Sequence, residues 1–196
     1  MARRKKQTFF PDLEAIQDEM RRTKSQSKYH QALKSTAGTI VVVAAIAVLV
    51  ASIFLPVLRV TGSSMQPSFA PGNVLVAFKT NDYMPGDVCS FYYNNKLIIK
   101  RVIATGGDVL EIDEDGRISV NGLVMDEGYV QSYALGLCDI EFPYKVPEEQ
   151  LFVMGDNRAS SVDSRVQAFG CISKEELMGK IVLRVWPIQY FTYYGL

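Results

Sequence analysis

The sequence predicts a mainly β protein, an antiparallel β-sheet domain carried behind one N-terminal transmembrane helix. Three observations predict it. A charge-free apolar run stands near the start of the chain. Short apolar segments separated by Asn, Gly and Asp turns fill the rest. Only one stretch there, after residue 172, carries a helix-start signal.

The chain has 196 residues, enough for one ordinary domain and a small extra segment. Its 21 basic and 21 acidic side chains cancel, but they are unevenly placed. Arg3, Arg4, Lys5, Lys6, Arg21, Arg22, Lys24, Lys28 and Lys34 outnumber Asp12, Glu14, Asp18 and Glu19 before the apolar run, whereas acids such as Asp108 and Glu148-Glu149 are prominent after it. The two halves therefore face different surroundings.

Residues 1–8 form a basic cluster expected to be disordered, and Asp12 to Lys34 reads as a short polar helix with acids early and bases late. No charged residue lies between Lys34 and Arg59. The run Ala37–Leu58 is long enough to cross the ~30 Å hydrocarbon core at about 1.5 Å per residue. It exceeds the apolar region of a cleaved signal peptide, about 7–15 residues. Lysine and arginine crowd its N-terminal flank, so the positive-inside rule gives a cytoplasmic basic tail at 1–35, a membrane anchor at 36–58 and an extracytoplasmic domain at 59–196. Pro56 falls near the outer end, where a break costs little.

Strands are expected at Val74–Phe78, Asp87–Tyr93, Lys96–Ala104, Asp108–Ile112, Arg117–Val120, Gln150–Met154 and Lys180–Trp186. Asn94-Asn95 predicts a tight hairpin, because asparagine tolerates positive φ. Asp115-Gly116 and Asn121-Gly122 are further turn signals. Residues 125–149 read as surface loop. Ser173-Lys174-Glu175-Glu176 matches a capping box, starting a helical turn with Gly179 as its stop. Arg184 and Pro187 exclude a second span over the aromatic end of the chain. Cys89, Cys138 and Cys171 have no metal-ligand spacing; the sequence leaves one disulfide open and favours three separate buried thiols.

Ser64, in Thr61-Gly62-Ser63-Ser64-Met65-Gln66-Pro67, is the best candidate nucleophile. A serine hydroxyl needs a base. The one histidine, His30, falls on the cytoplasmic side of the anchor, so a lysine of lowered pKa must serve. Lys100 stands out among six on the outer side. In a strand, Ile98, Lys100 and Val102 share a face, and flanking β-branched side chains desolvate the amine. A third stretch, Gly155-Asp156-Asn157-Arg158-Ala159-Ser160-Ser161-Val162-Asp163-Ser164-Arg165, is dense in small polar and charged residues.

Together these stretches resemble the bacterial type I signal peptidases (leader peptidases), Ser/Lys-dyad membrane proteases, in their compact Gram-positive-like branch. The resemblance runs through Ser64-Met65-x-Pro67, Lys100-Arg101-Val102, Gly106-Gly107-Asp108, Gly155-Asp156-Asn157-Arg158 with Ser161, Asp163 and Arg165, and Arg184-x-Trp186-Pro187. It implies Ser64 as nucleophile, Lys100 as general base and Ser161 as the hydroxyl that orients the lysine. It further implies Asp163, Arg101 and Arg165 as a structural charge cluster, and the Ser64 backbone N–H as an oxyanion donor. Gly62 stands where some members carry a second oxyanion hydroxyl. Thr105-Gly106 and Ala159 depart from the usual family residues without touching the dyad. The implied activity is removal of signal peptides from secreted preproteins, with cleavage after small residues (Ala-x-Ala). The implied partners are preproteins, membrane lipid and the secretion translocon, with no nucleic acid, metal or cofactor. The competing readings are a non-catalytic anchored β-domain that binds signal peptides or takes part in assembly, a related Ser/Lys protease such as a self-cleaving regulator, and an anchored interaction domain. An interaction domain would tolerate Ser64→Ala.

Overall fold

The structure, a computed structural model, describes residues 13–195. The basic cluster at 1–8 lies outside the described residues. The chain divides into two compact units, Met1–Val50 and Ala51–Leu196.

The first unit is built on α1 (Leu13–Phe54). The polar helix and the apolar helix expected separately are one continuous element. No proline interrupts Leu13–Phe54, and the single glycine there, Gly38, costs only about 1 kcal/mol in a helix interior. Its segment Leu33–Phe54 is long and apolar enough to cross a membrane. The helix ends before the expected 58. Pro56 disfavours helical backbone at Leu55, and Leu55 N–H makes the last helical bond, 2.8 Å to Ala51 O. The next residues become β1.

The second unit is antiparallel β, as the sequence predicts. Its strands are β1 (Val57–Arg59), β2 (Val74–Phe78), β3 (Val88–Tyr93), β4 (Lys96–Thr105), β5 (Val109–Ile112), β6 (Ile118–Val120), β7 (Leu123–Val124), β8 (Tyr144–Lys145), β9 (Gln150–Met154), β10 (Ile172–Ser173), β11 (Leu177–Trp186) and β12 (Thr192–Tyr193). The larger sheet runs β1-β2-β11-β3-β4-β9-β10, with β12 also on β11; the smaller runs β7-β6-β5-β8. β3 and β4 form the expected hairpin, with Asn94 at φ 48 and Asn95 at φ 62.

Ser173 caps a short 3-10 turn at Lys174–Glu176 through the expected capping box. Gly179 does not stop it. The turn already ends at Leu177, and Gly179 lies inside β11, where a Cβ would meet Phe78 O at 2.8 Å. Glycine is there because two backbones approach closely. The span 125–149, expected as loop, contributes β8 and the buried Glu127.

Three apolar clusters hold the domain. Leu58, Val60, Met65, Phe69, Leu75 and Ile181 form one. Cys89, Phe91, Val102 and Val153 belong to another. The third, including Ile103, Leu110, Ile118 and Phe152, joins residues of the larger and smaller sheets. A fully buried Phe such as Phe69 or Phe91 contributes about 1.5–3 kcal/mol.

Candidate functional site

Ser64 sits on a tight turn fixed from both sides. Gln66 N–H donates to Ser63 O at 3.1 Å and Phe69 N–H to Met65 O at 2.8 Å. Met65 and Phe69 drop into the first core cluster, so the turn is pinned by its apolar residues while Ser64 stays half-buried between core and solvent. Among the described residues, neither Ser64 Oγ nor Ser64 N–H has a hydrogen-bond partner. Its carbonyl accepts from Asn157 N–H at 3.0 Å.

Lys100 stands on β4, paired across the hairpin with Cys89. Its alternation partners Ile98 and Val102 pack in the cluster that contains Cys89. Lys100 is only 3% exposed. Burial pushes its amine down to about 8, Arg165 adds to that, and Asp163 opposes it. Lys100 Nζ donates to Ser161 Oγ at 2.6 Å. Ser64 and Lys100 line one cavity of about 280 Å³, walled by Val60, Met65, Leu97, Ile99 and Phe169.

The segment from Gly155 to Arg165 wraps around this pair. Ser161 N–H bonds to Asn157 O at 3.0 Å. A Cβ at Gly155 would lie 2.5 Å from Ser64 O and closer still to Ser161 Oγ. Only a glycine lets the Ser64 turn and the Ser161 side chain meet over the same backbone.

The buried charges around this segment resolve into three pairs rather than one cluster. Asp163 takes Arg165 Nε at 2.8 Å and Arg165 Nη2 at 2.9 Å, and also accepts from Gly155 N–H at 3.0 Å. Arg165 ties down the neighbouring loop through Leu135 O at 2.5 Å. Arg101 does not join Asp163. It forms a bidentate pair with Asp156, at 2.7 and 2.6 Å, because successive β4 side chains alternate faces and Arg101 points opposite to Lys100. The Tyr129 ring covers it, 3.8 Å from the guanidinium carbon. The third pair is Arg158 with Glu127, both with wholly buried side chains. Arg158 Nε also reaches Gly155 O at 3.2 Å.

Sequence reasoning assigned no role to Asp156, Arg158, Glu127 or Tyr129. Asp156 and Arg158 lay inside the polar run, and their density there was the available signal. Glu127 had none, being one acid in an irregular stretch. A Cβ at Gly62 would meet nothing within 4 Å. His30 falls on α1, in the first unit. All three cysteines are free; Cys89 is buried, while Cys138 and Cys171 are half-buried.

Over residues 33–186 the chain matches the family described as "Signal peptidase, peptidase S26". It is similar to signal peptidase I of Bacillus caldolyticus, 35% identical over 150 residues that cover 68% of this chain and 81% of that protein. It is also similar to signal peptidase IB of Staphylococcus aureus (strain MRSA252), 32% identical over 154 residues, 68% of this chain and 79% of the relative.

Proposed function

We propose, from the premise that this chain belongs to the signal peptidase family, peptidase S26, that it acts through Ser64 as nucleophile and Lys100 as general base. The chain is a serine endopeptidase that removes signal peptides, its substrates are preproteins that carry them, and it is membrane-anchored. The observation that carries the residue assignment is the cavity shared by Ser64 and a buried Lys100 whose amine is held by Ser161.

Lys100 Nζ, neutral in a substantial fraction near pH 8, takes the Ser64 Oγ proton as Oγ attacks the scissile carbonyl. The oxyanion that forms is met by the Ser64 backbone N–H, a donor not used elsewhere among the described residues. The protonated Lys100 then gives its proton to the departing amine, freeing the mature chain and leaving the signal peptide esterified to Ser64. A water, deprotonated by Lys100, attacks the ester, and Lys100 returns the proton to Ser64 Oγ. Ser161 keeps Nζ aimed through both halves. Asp163, Arg165 and Arg101 hold the surrounding backbone.

The cavity is small and mostly apolar, which favours small residues before the cut and supports the Ala-x-Ala pattern. The basic tail at 1–35 faces the cytoplasm, and the domain after the anchor works on the outer face. The translocon that delivers preproteins is a further partner.

The test is cleavage, in detergent, of a preprotein bearing an Ala-x-Ala site by the wild type, Ser64→Ala and Lys100→Ala. The expected result is cleavage after the small residue by the wild type alone, with both variants folded. Cleavage by folded Ser64→Ala at the wild-type rate would overturn the assignment.

A further inference from the structure

Across the Ser64–Phe69 turn from the catalytic cavity lies a second one, of about 820 Å³, with Pro67, Ser68, Arg101, Tyr129, Arg184 and Tyr190 among its lining residues. Among the described residues no carboxylate lines it. Its two guanidinium groups differ in kind. Arg101 is neutralised by Asp156. Arg184, on β11, has no acidic side chain within ion-pair reach among the described residues.

Arg184 is nevertheless fixed in place. Nε donates to Tyr190 O at 2.8 Å, Nη1 to Ser68 O at 2.9 Å and Nη2 to Thr192 Oγ1 at 3.2 Å. The rings of Phe69 and Tyr190 flank its guanidinium carbon at 5.8 and 5.6 Å. Among the described residues three of its five N–H groups are thus used, and two remain on a preorganised cation. Such a group recognises a carboxylate at little further ordering cost.

The distance suits a substrate that continues past the cut. Ser64 and Ser68 lie on one turn, closed by Phe69 N–H to Met65 O at 2.8 Å, so about 6–7 Å separates them, and Ser68 O accepts from Arg184. The guanidinium therefore lies on the order of 10 Å from the nucleophile, about three residues of extended chain at ~3.3 Å each. We propose that this cavity receives the first residues of the mature chain, and that Arg184 selects an acidic side chain at the second to fourth residue after the scissile bond. The inference rests on Ser64 being the attacking serine.

The test uses the full-length protein in detergent and preproteins that differ only by Glu, Gln or Lys at each of those three residues. Within one enzyme preparation the kcat/KM ratio cancels the folded fraction. The wild type is expected to favour Glu over Gln by roughly five-fold at its best position, the scale of a part-exposed ion pair. Raised salt should shrink that ratio. Arg184→Gln should bring it to about one, and Arg184→Glu should favour Lys over Glu. A wild-type ratio of one at all three positions, or a Glu preference retained in Arg184→Gln, overturns the proposal. So does an Arg184→Gln defect that is equal for all substrates and appears only in phosphatidylglycerol vesicles, which would assign Arg184 to lipid. If the wild type shows no acid preference while Ser64→Ala is inert, the subsite fails and the nucleophile stands. If Ser64→Ala cleaves as the wild type does, the nucleophile itself is wrong.

Discussion

Lys100 Nζ and Ser161 Oγ are 2.6 Å apart, in a site where both residues are almost wholly buried. The hydroxyl is the only side-chain partner the amine has among the described residues, so it decides where the lone pair of the neutral amine points. Ser161→Ala should leave the fold intact and lower kcat by about 10²-fold, with KM little changed. Steady-state kinetics on a preprotein, with circular dichroism as the folding control, checks this.

The amine of Lys100 is pushed down to about 8 by burial, from 10.5. Activity should therefore rise with pH along a limb with its midpoint near 8. The same shift has a stability consequence of definite sign. The charged form is disfavoured in the fold, so the cost is fully present below the folded value. It is relieved as pH rises from about 8 toward 10.5. Lys100→Met should therefore be inactive, yet melt above the wild type at pH 7. The gap should narrow across that window. Thermal melts of both proteins at several pH values measure it.

Gly155→Ala should be among the most damaging small substitutions in the chain. Its methyl group would displace either the Ser64 carbonyl or the Ser161 hydroxyl. The expected outcome is loss of at least about 10²-fold in kcat, on the scale at which misplaced groups impair catalysis. Gly62→Ala, where the added methyl would meet nothing within 4 Å, should be far milder and serves as the comparison.

Glu127 and Arg158 form a buried ion pair, so removing one partner strands the other. Glu127→Ala should destabilise the domain by about 3–5 kcal/mol. Combining it with Arg158→Met should cost less than the sum of the two single changes, because no unpaired charge remains. Denaturant unfolding of the four proteins gives the coupling.

The fold was legible where the chemistry is local. Asn94-Asn95 marked its hairpin, and Ser173 with Glu176 marked its cap, because each signal acts within a few residues. Gly179 misled for the same reason. Read locally it is a helix stop, but its cause is Phe78, on a strand far away in the sequence. The helix stops short of the expected 58 because apolar residues suit both a membrane helix and a buried strand. Leu58 belongs to β1 and to the core. At the site, residue types announced Ser64, Lys100 and the polar run. Partners were not announced. Nothing in the sequence said that Arg101 would take Asp156, or that Glu127 would reach Arg158 across 31 positions. Pairing is a property of the folded surfaces.

Within the larger sheet, the strands nearest Ser64, β1 and β2, meet the hairpin that carries Lys100 only through β11. That connecting strand is Leu177–Trp186, well over a hundred residues after the serine. A chain emerging N-terminus first therefore holds Ser64 and Lys100 on pieces not joined within the sheet until nearly all of it is out. On the proposed roles of Ser64 and Lys100, proteolytic competence waits for β11, and a chain interrupted before it is expected to yield no half-active protease beside the membrane.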